Sequence, residues 1–282
     1  MNDGANIGKI SYICTVITLF NMKETKSPTV DLATSTYGMV AGTDYDIAIL
    51  PWGATEPHNQ HLPYLTDAIL SHDVAIDAAR LAWEQHGVRT MVLPPVMMGA
   101  QNPGQRELQF CIHYRQRTQE TILRDIVESL YHQGMRKLLI VNGHGGNVFK
   151  GFIRDLIVDY PDMFILSSEW FTVCPACDYF DQPGDHADEL ETSVMLHYHP
   201  ELVRMDLAGD GHSHPFALQS LQKKTAWLPR HWNLVTDDTG IGNPRLATAE
   251  KGARFAQAVA ERYAQLLAEL KEVQKATDLY EH

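Results

Sequence analysis

Lys137-Leu138-Leu139-Ile140-Val141-Asn142-Gly143-His144-Gly145-Gly146-Asn147 decides how this chain folds. Five residues with an unbroken apolar run from Leu138 read as a strand buried on both faces, because a half-exposed strand would alternate. The glycine turn that follows opens into a helix over 148–159. A strand, a tight turn and a helix make the repeating unit of a parallel sheet. The same grammar recurs outward from this point. Upstream lie a strand over 46–51, a helix over 67–85, a strand over 90–93 closed by Pro94-Pro95, and a helix over 117–132 stopped at Gly134. Downstream come a strand over 163–167, a short helix over 190–198 stopped by Pro200, and a long C-terminal helix over 247–275. The expected fold is a single α/β domain over 46–282, a mostly parallel sheet with helices on both faces, preceded by an extension over 1–45. Residues 199–245 are irregular and rich in His, Pro and Trp, which suits a lid or a contact between subunits.

Composition narrows the partners. The 282 residues carry 35 acidic and 23 basic side chains, a formal charge of −12. No basic surplus is present to neutralise phosphates or an anionic bilayer, so neither a nucleic acid nor a membrane is expected as partner. The apolar run over 10–20 is about half of a membrane span and lacks the features of a signal peptide. It reads as a peripheral strand or an extension upstream of a start at Met22, and the expected location is cytoplasmic. Four cysteines do not make a secreted disulfide scaffold at this length. Fourteen histidines are the odd feature, and they direct attention to metal binding or proton transfer.

Three segments carry the chemistry. After the first strand comes Gly53-Ala54-Thr55-Glu56-Pro57-His58-Asn59-Gln60-His61-Leu62-Pro63-Tyr64-Leu65-Thr66-Asp67. Glu56 and His58, two apart, point to one side of an extended backbone, and Asp67 stands where the next helix begins. Two carboxylates and an imidazole converging there would suit Zn²⁺, Mn²⁺ or Fe²⁺. The same residues read equally as a solvated loop with Thr66 or Asp67 capping the helix. The second segment is the His144 turn. It lies at the carboxyl edge of the sheet, where α/β proteins bind ligands, and it lacks both the P-loop lysine and the dinucleotide glycine spacing. A tight turn with an incidental histidine is the other reading, and a histidine centred among turn formers at a sheet edge favours a ligand. The third segment is Asp185-His186-Ala187-Asp188-Glu189-Leu190-Glu191-Thr192-Ser193. Asp188 and Glu191 have the spacing of a helix cap, which on the residues alone outweighs a ligand role for Glu191 and a proton-shuttle role for His186. Two weaker signals remain. Cys174 and Cys177 are spaced as a redox pair or half a zinc site, with no second pair to complete it. His212 and His214 are spaced as ligands but sit in a loop.

Taken in order, these segments and the tail Gly242-Asn243-Pro244 to Gly252 resemble the creatininase (creatinine amidohydrolase) family over roughly Ile47 to Gly252. The resemblance implies an α/β fold, two divalent metal ions, and hydrolysis of a cyclic or non-peptide C–N amide bond by a hydroxide bridging the metals. Carried over position by position, Glu56, Asp67 and His144 would hold one metal. His58, Asp67 and a further carboxylate would hold the other. In creatininase proper that carboxylate stands two residues after the turn histidine, where this chain has Gly146, so Glu191 becomes the fifth ligand. His186 would pass a proton to the leaving nitrogen, making His186 and Glu191 the catalytic pair. Trp170, Gly145, Gly146 and His61 would belong to the substrate pocket. Creatininase has Tyr and Glu at Gly145 and Gly146, and a Trp at Gln182, which turns attention from creatinine to other small amides. A formamide deformylase or a small peptidase is the alternative within the family. A non-catalytic metal-binding protein or a Cys174–Cys177 redox protein is the alternative outside it. The resemblance also implies a homo-oligomer, a hexamer.

Overall fold

The computed structural model of the chain describes residues 27–281, so the apolar run over 10–20 lies outside the described residues. Four strands carry the expected apolar runs: β1 (Ile47–Trp52), β2 (Thr90–Val92), β3 (Lys137–Asn142) and β4 (Phe164–Glu169). Five long helices accompany them: α1 (Thr66–His86), α2 (Gln116–His132), α3 (Lys150–Asp159), α4 (Glu189–Tyr198) and α5 (Ala249–Glu272). All strands pair in parallel, in the order β2-β1-β3-β4.

Alternation along the strands sorts the core into two halves. Ile47, Ile49, Leu139 and Val141 face α1, α4 and α5, where they meet Leu70, Val74, Val194 and Phe255. Ala48, Leu50, Trp52, Leu138 and Ile140 face α2 and α3, where they meet Leu123, Val127 and Leu156. The central strands β1 and β3 are thus covered on both faces, which is why they show no polar alternation, whereas edge strand β4 is partly exposed and ends in Ser167, Ser168 and Glu169. Small residues let the helices approach. A Cβ on Gly252 of α5 would land on the Ser193 carbonyl of α4. α1 ends at Gly87, whose φ of 64° lets its N–H turn back to the Ala82 and Trp83 carbonyls.

Two boundaries differ from expectation for visible reasons. The C-terminal helix stops at Glu272 because the Asp278 carboxylate accepts from the backbone N–H groups of Gln274 (3.0 Å) and Lys275 (3.0 Å), drawing the chain into a separate turn. The lead-in also joins the fold ahead of residue 46. Val30 is buried in the core, and its carbonyl accepts from Val92 N–H at 2.8 Å on the β2 edge. The irregular stretch over 199–245 consists of short helical turns gathered around Asp238. That carboxylate accepts from the N–H of Gly211 (2.9 Å) and of Gly240 (3.0 Å).

The strand order places the site. From β1 the chain moves to one edge at β2, then crosses to β3 and on to β4, so the winding reverses between β1 and β3. In an open parallel sheet the loops leaving the carboxyl ends on either side of that reversal part and form a crevice.

Candidate metal centre

Trp52 of β1 lies in register with Asn142 of β3, so the loops that carry Glu56 and His144 leave the sheet side by side. The first loop delivers Glu56 and His58, then turns at Pro63, whose carbonyl accepts from the Thr66 hydroxyl at 2.7 Å. No side chain caps α1, and neither Thr66 nor Asp67 is used for that purpose. Asp67 in its first turn instead directs its carboxylate at two histidines, in a place where the helix dipole favours negative charge. The second loop is fastened by its asparagines. Asn142 Nδ2 donates to the His144 carbonyl (2.8 Å), and Asn147 ties Ala100 N–H (3.1 Å) and the Gly53 carbonyl (3.2 Å) to the same turn. A Cβ on Gly143 would strike the Asp67 carbonyl, so only glycine lets the two loops close.

The resulting cluster is dense. His58 Nε2 lies 2.9 Å from Asp67 Oδ1, His144 Nδ1 lies 2.9 Å from Glu56 Oε1, and His144 Nδ1 lies 3.2 Å from Asp67 Oδ2. Glu56, His58 and Asp67 are at most 2% exposed, and His144 is 6% exposed. Donor atoms of Glu56, Asp67 and His144 form one group that could hold a metal ion, and those of His58, Asp67 and Glu191 form another. A third such group joins Glu56, His58 and His186.

Backbone carbonyls decide which way each ring faces. His144 Nε2 donates to the Ala100 carbonyl at 2.7 Å, His58 Nδ1 to the Glu56 carbonyl at 3.0 Å, and His186 Nε2 to the Pro57 carbonyl at 2.9 Å. A carbonyl only accepts, so each ring keeps its hydrogen there and turns its other nitrogen toward the carboxylates. Nitrogen lone pairs then confront carboxylate lone pairs, and Asp67 Oδ2 is buried with no hydrogen-bond partner. Such an arrangement is satisfied by cations: extra protons, or metal ions with borderline N/O preference. The donor set fits a divalent metal.

The acid–base shifts report the same field. Burial disfavours an imidazolium at His58, yet the Asp67 carboxylate outweighs it and raises the group to about 10. His144 is likewise raised, against burial, by Glu56 and Asp67. Burial opposes ionisation of both carboxylates, but the imidazoles hold Glu56 and Asp67 below the usual range. Glu191 goes the other way, pushed up to about 8 by burial. Burial and the neighbouring His58 hold His186 down, in its neutral form.

The structure brings together the donor atoms of Glu56, His58, Asp67, His144 and Glu191. Glu191 does so while serving the cap: its N–H donates to Asp188 Oδ1 (3.0 Å) and its own Oε2 accepts from Ala187 N–H (2.5 Å). His186 stacks near His58 at 4.3 Å and lies 3.8 Å from Glu56 Oε1. Gly145 and Gly146 line the cleft over the cluster. His61 stands behind it, 2% exposed, bonded through Nε2 to the Thr192 hydroxyl at 2.8 Å and pushed down to about 4 by burial. Trp170 is placed in the core instead of the cleft wall, 1% exposed against Phe255, because β4 runs one residue short of it and the following turn swings its ring inward. Phe171 and Thr172 reach the cleft beside it. His212 and His214 are exposed and belong to no three-ligand group among the described residues. Cys174 and Cys177 are unpaired, and burial raises the Cys174 thiol, the opposite of what an attacking thiolate needs.

Two residues escaped the sequence reading. Gln105 is buried and donates through Nε2 to Glu56 Oε2, fixing that carboxylate. Trp232 arrives from the irregular region and sets its edge against His186 at 5.1 Å. A polar residue two after Pro103, and an aromatic in an unpatterned loop, carry no spacing that would single them out.

Residues 33–267 match the family model for creatininase, described as creatinine amidohydrolase. The chain belongs to the creatininase family. A family relative from Mycobacterium ulcerans (strain Agy99), the mycofactocin precursor peptide peptidase, is 32% identical over 241 residues, covering 81% of this chain and 87% of its own. A 3-dehydro-scyllo-inosose hydrolase from Thermotoga maritima is 23% identical over 80% of this chain and 78% of its own. Among solved structures, a creatinine-amidohydrolase-like protein from Bacteroides fragilis NCTC 9343 superposes with a TM-score of 0.87 at 58% identity, covering 90% of this chain and 100% of that one. A creatininase variant of Zn-Zn type gives 0.71 at 20% identity over 88% of this chain and 100% of its own, a likeness of fold. As a creatininase-family member the chain is an enzyme, a hydrolase.

Proposed function

We propose that the chain is a metal-dependent amidohydrolase in which Glu56, His58, Asp67, His144 and Glu191 hold two divalent cations, Zn²⁺, Mn²⁺ or Fe²⁺. One observation carries this reading: Asp67 turns one oxygen to His58 and the other to His144, so a single carboxylate belongs to two ligand groups. When bound, such cations would supply Lewis acidity and a water ionised near neutral pH. Gly146 supports Glu191 as the fifth ligand. A Cβ there would land on the Ala100 carbonyl that orients His144, so the turn is built around a residue without a side chain.

The chain's own groups supply the rest. An amide nitrogen leaves only when protonated, and His186 is the candidate carrier. Its Nε2–H is committed to Pro57, which leaves Nδ1 as the basic atom facing the cluster. Burial keeps that ring neutral and ready to accept a proton. Trp232 covers its other face and excludes water from it.

The substrate is an amide at a C–N bond, and small cyclic or formyl amides are one class to test. The size of the cleft, about 1080 Å³, favours a second reading as a small peptidase, since a single small ring would leave most of it empty. The 32% identity to a peptide peptidase supports that reading. A hydrolysis screen over creatinine, formamides and short peptides, with metal content measured before and after chelation, tests both. Turnover that survives complete chelation would overturn the metal assignment. Among the described residues, no helix is long and apolar enough to cross a membrane. Exposed Leu218, Trp227 and Leu234 in the irregular region support assembly into a homo-oligomer, which light scattering would size.

A further inference from the structure

The cleft wall beside the metal centre carries charge that the ligand cluster does not account for. Arg115 and Arg117 both line the cleft, and neither has an ion-pair partner within 4.0 Å among the described residues. Arg230, the remaining arginine of the lining, is different: it is paired to Asp185. Both side chains are exposed to the cleft, solvated and free to meet a ligand, in a chain whose net charge is −12.

Their position sharpens the point. Arg115 is the N-cap residue of α2, Arg117 lies in its first turn, and that turn holds no acid and no side-chain cap. Cations belong at a helix C-terminus, so both charges stand at the end where the dipole opposes them. An anion bound there would relieve both the side chains and the helix end. His113 adds a donor on the same wall. Its Nδ1 accepts from Gln101 N–H at 2.9 Å, which leaves the ring hydrogen on Nε2. The wall is tied directly to the metal centre, because Ala100, next to Gln101, is the residue whose carbonyl orients His144.

We propose that the substrate carries an oxyanion, a carboxylate or a phosphate, on the acyl-amide skeleton, and that Arg115 and Arg117 hold it while the scissile bond lies at the metal cluster. This rests on the amidohydrolase reading above. Guanidinium pairs recognise such groups through parallel N–H donors, which gives orientation along with attraction. Arg115 and Arg117 thereby act as specificity-determining residues, setting which end of the substrate reaches the metal centre.

The test uses metal-loaded enzyme and matched pairs: an N-acetyl dipeptide acid against its C-terminal amide, and N-formylethanolamine phosphate against N-formylethanolamine. Binding is measured by calorimetry and hydrolysis by amine release, in the wild type and in the Arg115→Gln/Arg117→Gln variant. The wild type is expected to bind the anionic member of one pair at least about tenfold more tightly, and the pair that discriminates identifies the anion. In the variant the ratio should collapse toward one, chiefly through the affinity or KM of the anionic member. Arg115→Lys/Arg117→Lys should recover part of the ratio. Equal binding within both pairs in the wild type, or a ratio that survives in the Gln variant, overturns the proposal. Discrimination in binding without hydrolysis of any member would count against the amidohydrolase reading while leaving the anion site standing.

Discussion

Asp67 is the residue on which the centre turns. Its two oxygens face different histidines, and both ligand pairs of the proposed centre need it. Asp67→Asn keeps the volume and removes the charge. Loss of both metals is expected, with turnover lower by at least about 100-fold; elemental analysis that still finds two ions per chain would refute the shared role. His186 makes a separable case. His186→Ala should retain metal and lose about 10²–10⁴-fold in kcat, the usual worth of a positioned general acid. Near-normal turnover would remove it from proton transfer, and loss of metal would make it a ligand, as its place beside Glu56 and His58 allows.

Among the elements, the glycine turn after β3 depends on its last residue. Asn147 joins three chain segments, bonding Ala100, Gly53 and the Asn142 side chain (3.1 Å) from a buried position. Asn147→Ala leaves a buried N–H and a buried carbonyl without partners, a destabilisation of about 1–3 kcal/mol for each. A lowered midpoint in urea unfolding should accompany weaker metal binding, since the Ala100 carbonyl that orients His144 is held through the same side chain. An unchanged midpoint would show that water replaces the amide without loss. The strands and long helices were legible because each one's apolar pattern follows from which side faces the core. Asn147 was legible only as a turn former, because its role lies in bonds to residues 47 and 94 positions away.

For the whole molecule, metal and proton compete for one cluster. Burial opposes a charged His58, but Asp67 prevails and raises it to about 10. In the metal-free enzyme this contact adds stability that is complete below the ordinary imidazole value and is lost as pH rises through about 10. A metal ion must displace that proton, so metal affinity rises with pH below that value, by about tenfold per unit for each proton released. Competition against a chelator at several pH values measures the slope, and a flat profile would contradict it. Metal at a hundred times its Kd adds about 2.7 kcal/mol to the native state. Chelation should therefore lower Tm by about 5 °C for a chain of this size, as scanning calorimetry would show.

The sequence by itself determined the α/β class and the strand and helix succession, properties of local patterning: apolar runs and helix stops. It offered Glu56, His58, Asp67 and His144 as ligand candidates, and Glu191 as one only through the family resemblance. Only the tertiary structure decided that Asp67 is spent on two histidines instead of a helix cap, that Trp170 belongs to the core, and that Gln105 secures Glu56. It alone placed two unpaired arginines on the wall of the active cleft. Each of those outcomes depends on contacts between distant segments, and such contacts exist only once the winding reversal between β1 and β3 brings their loops to one edge of the sheet.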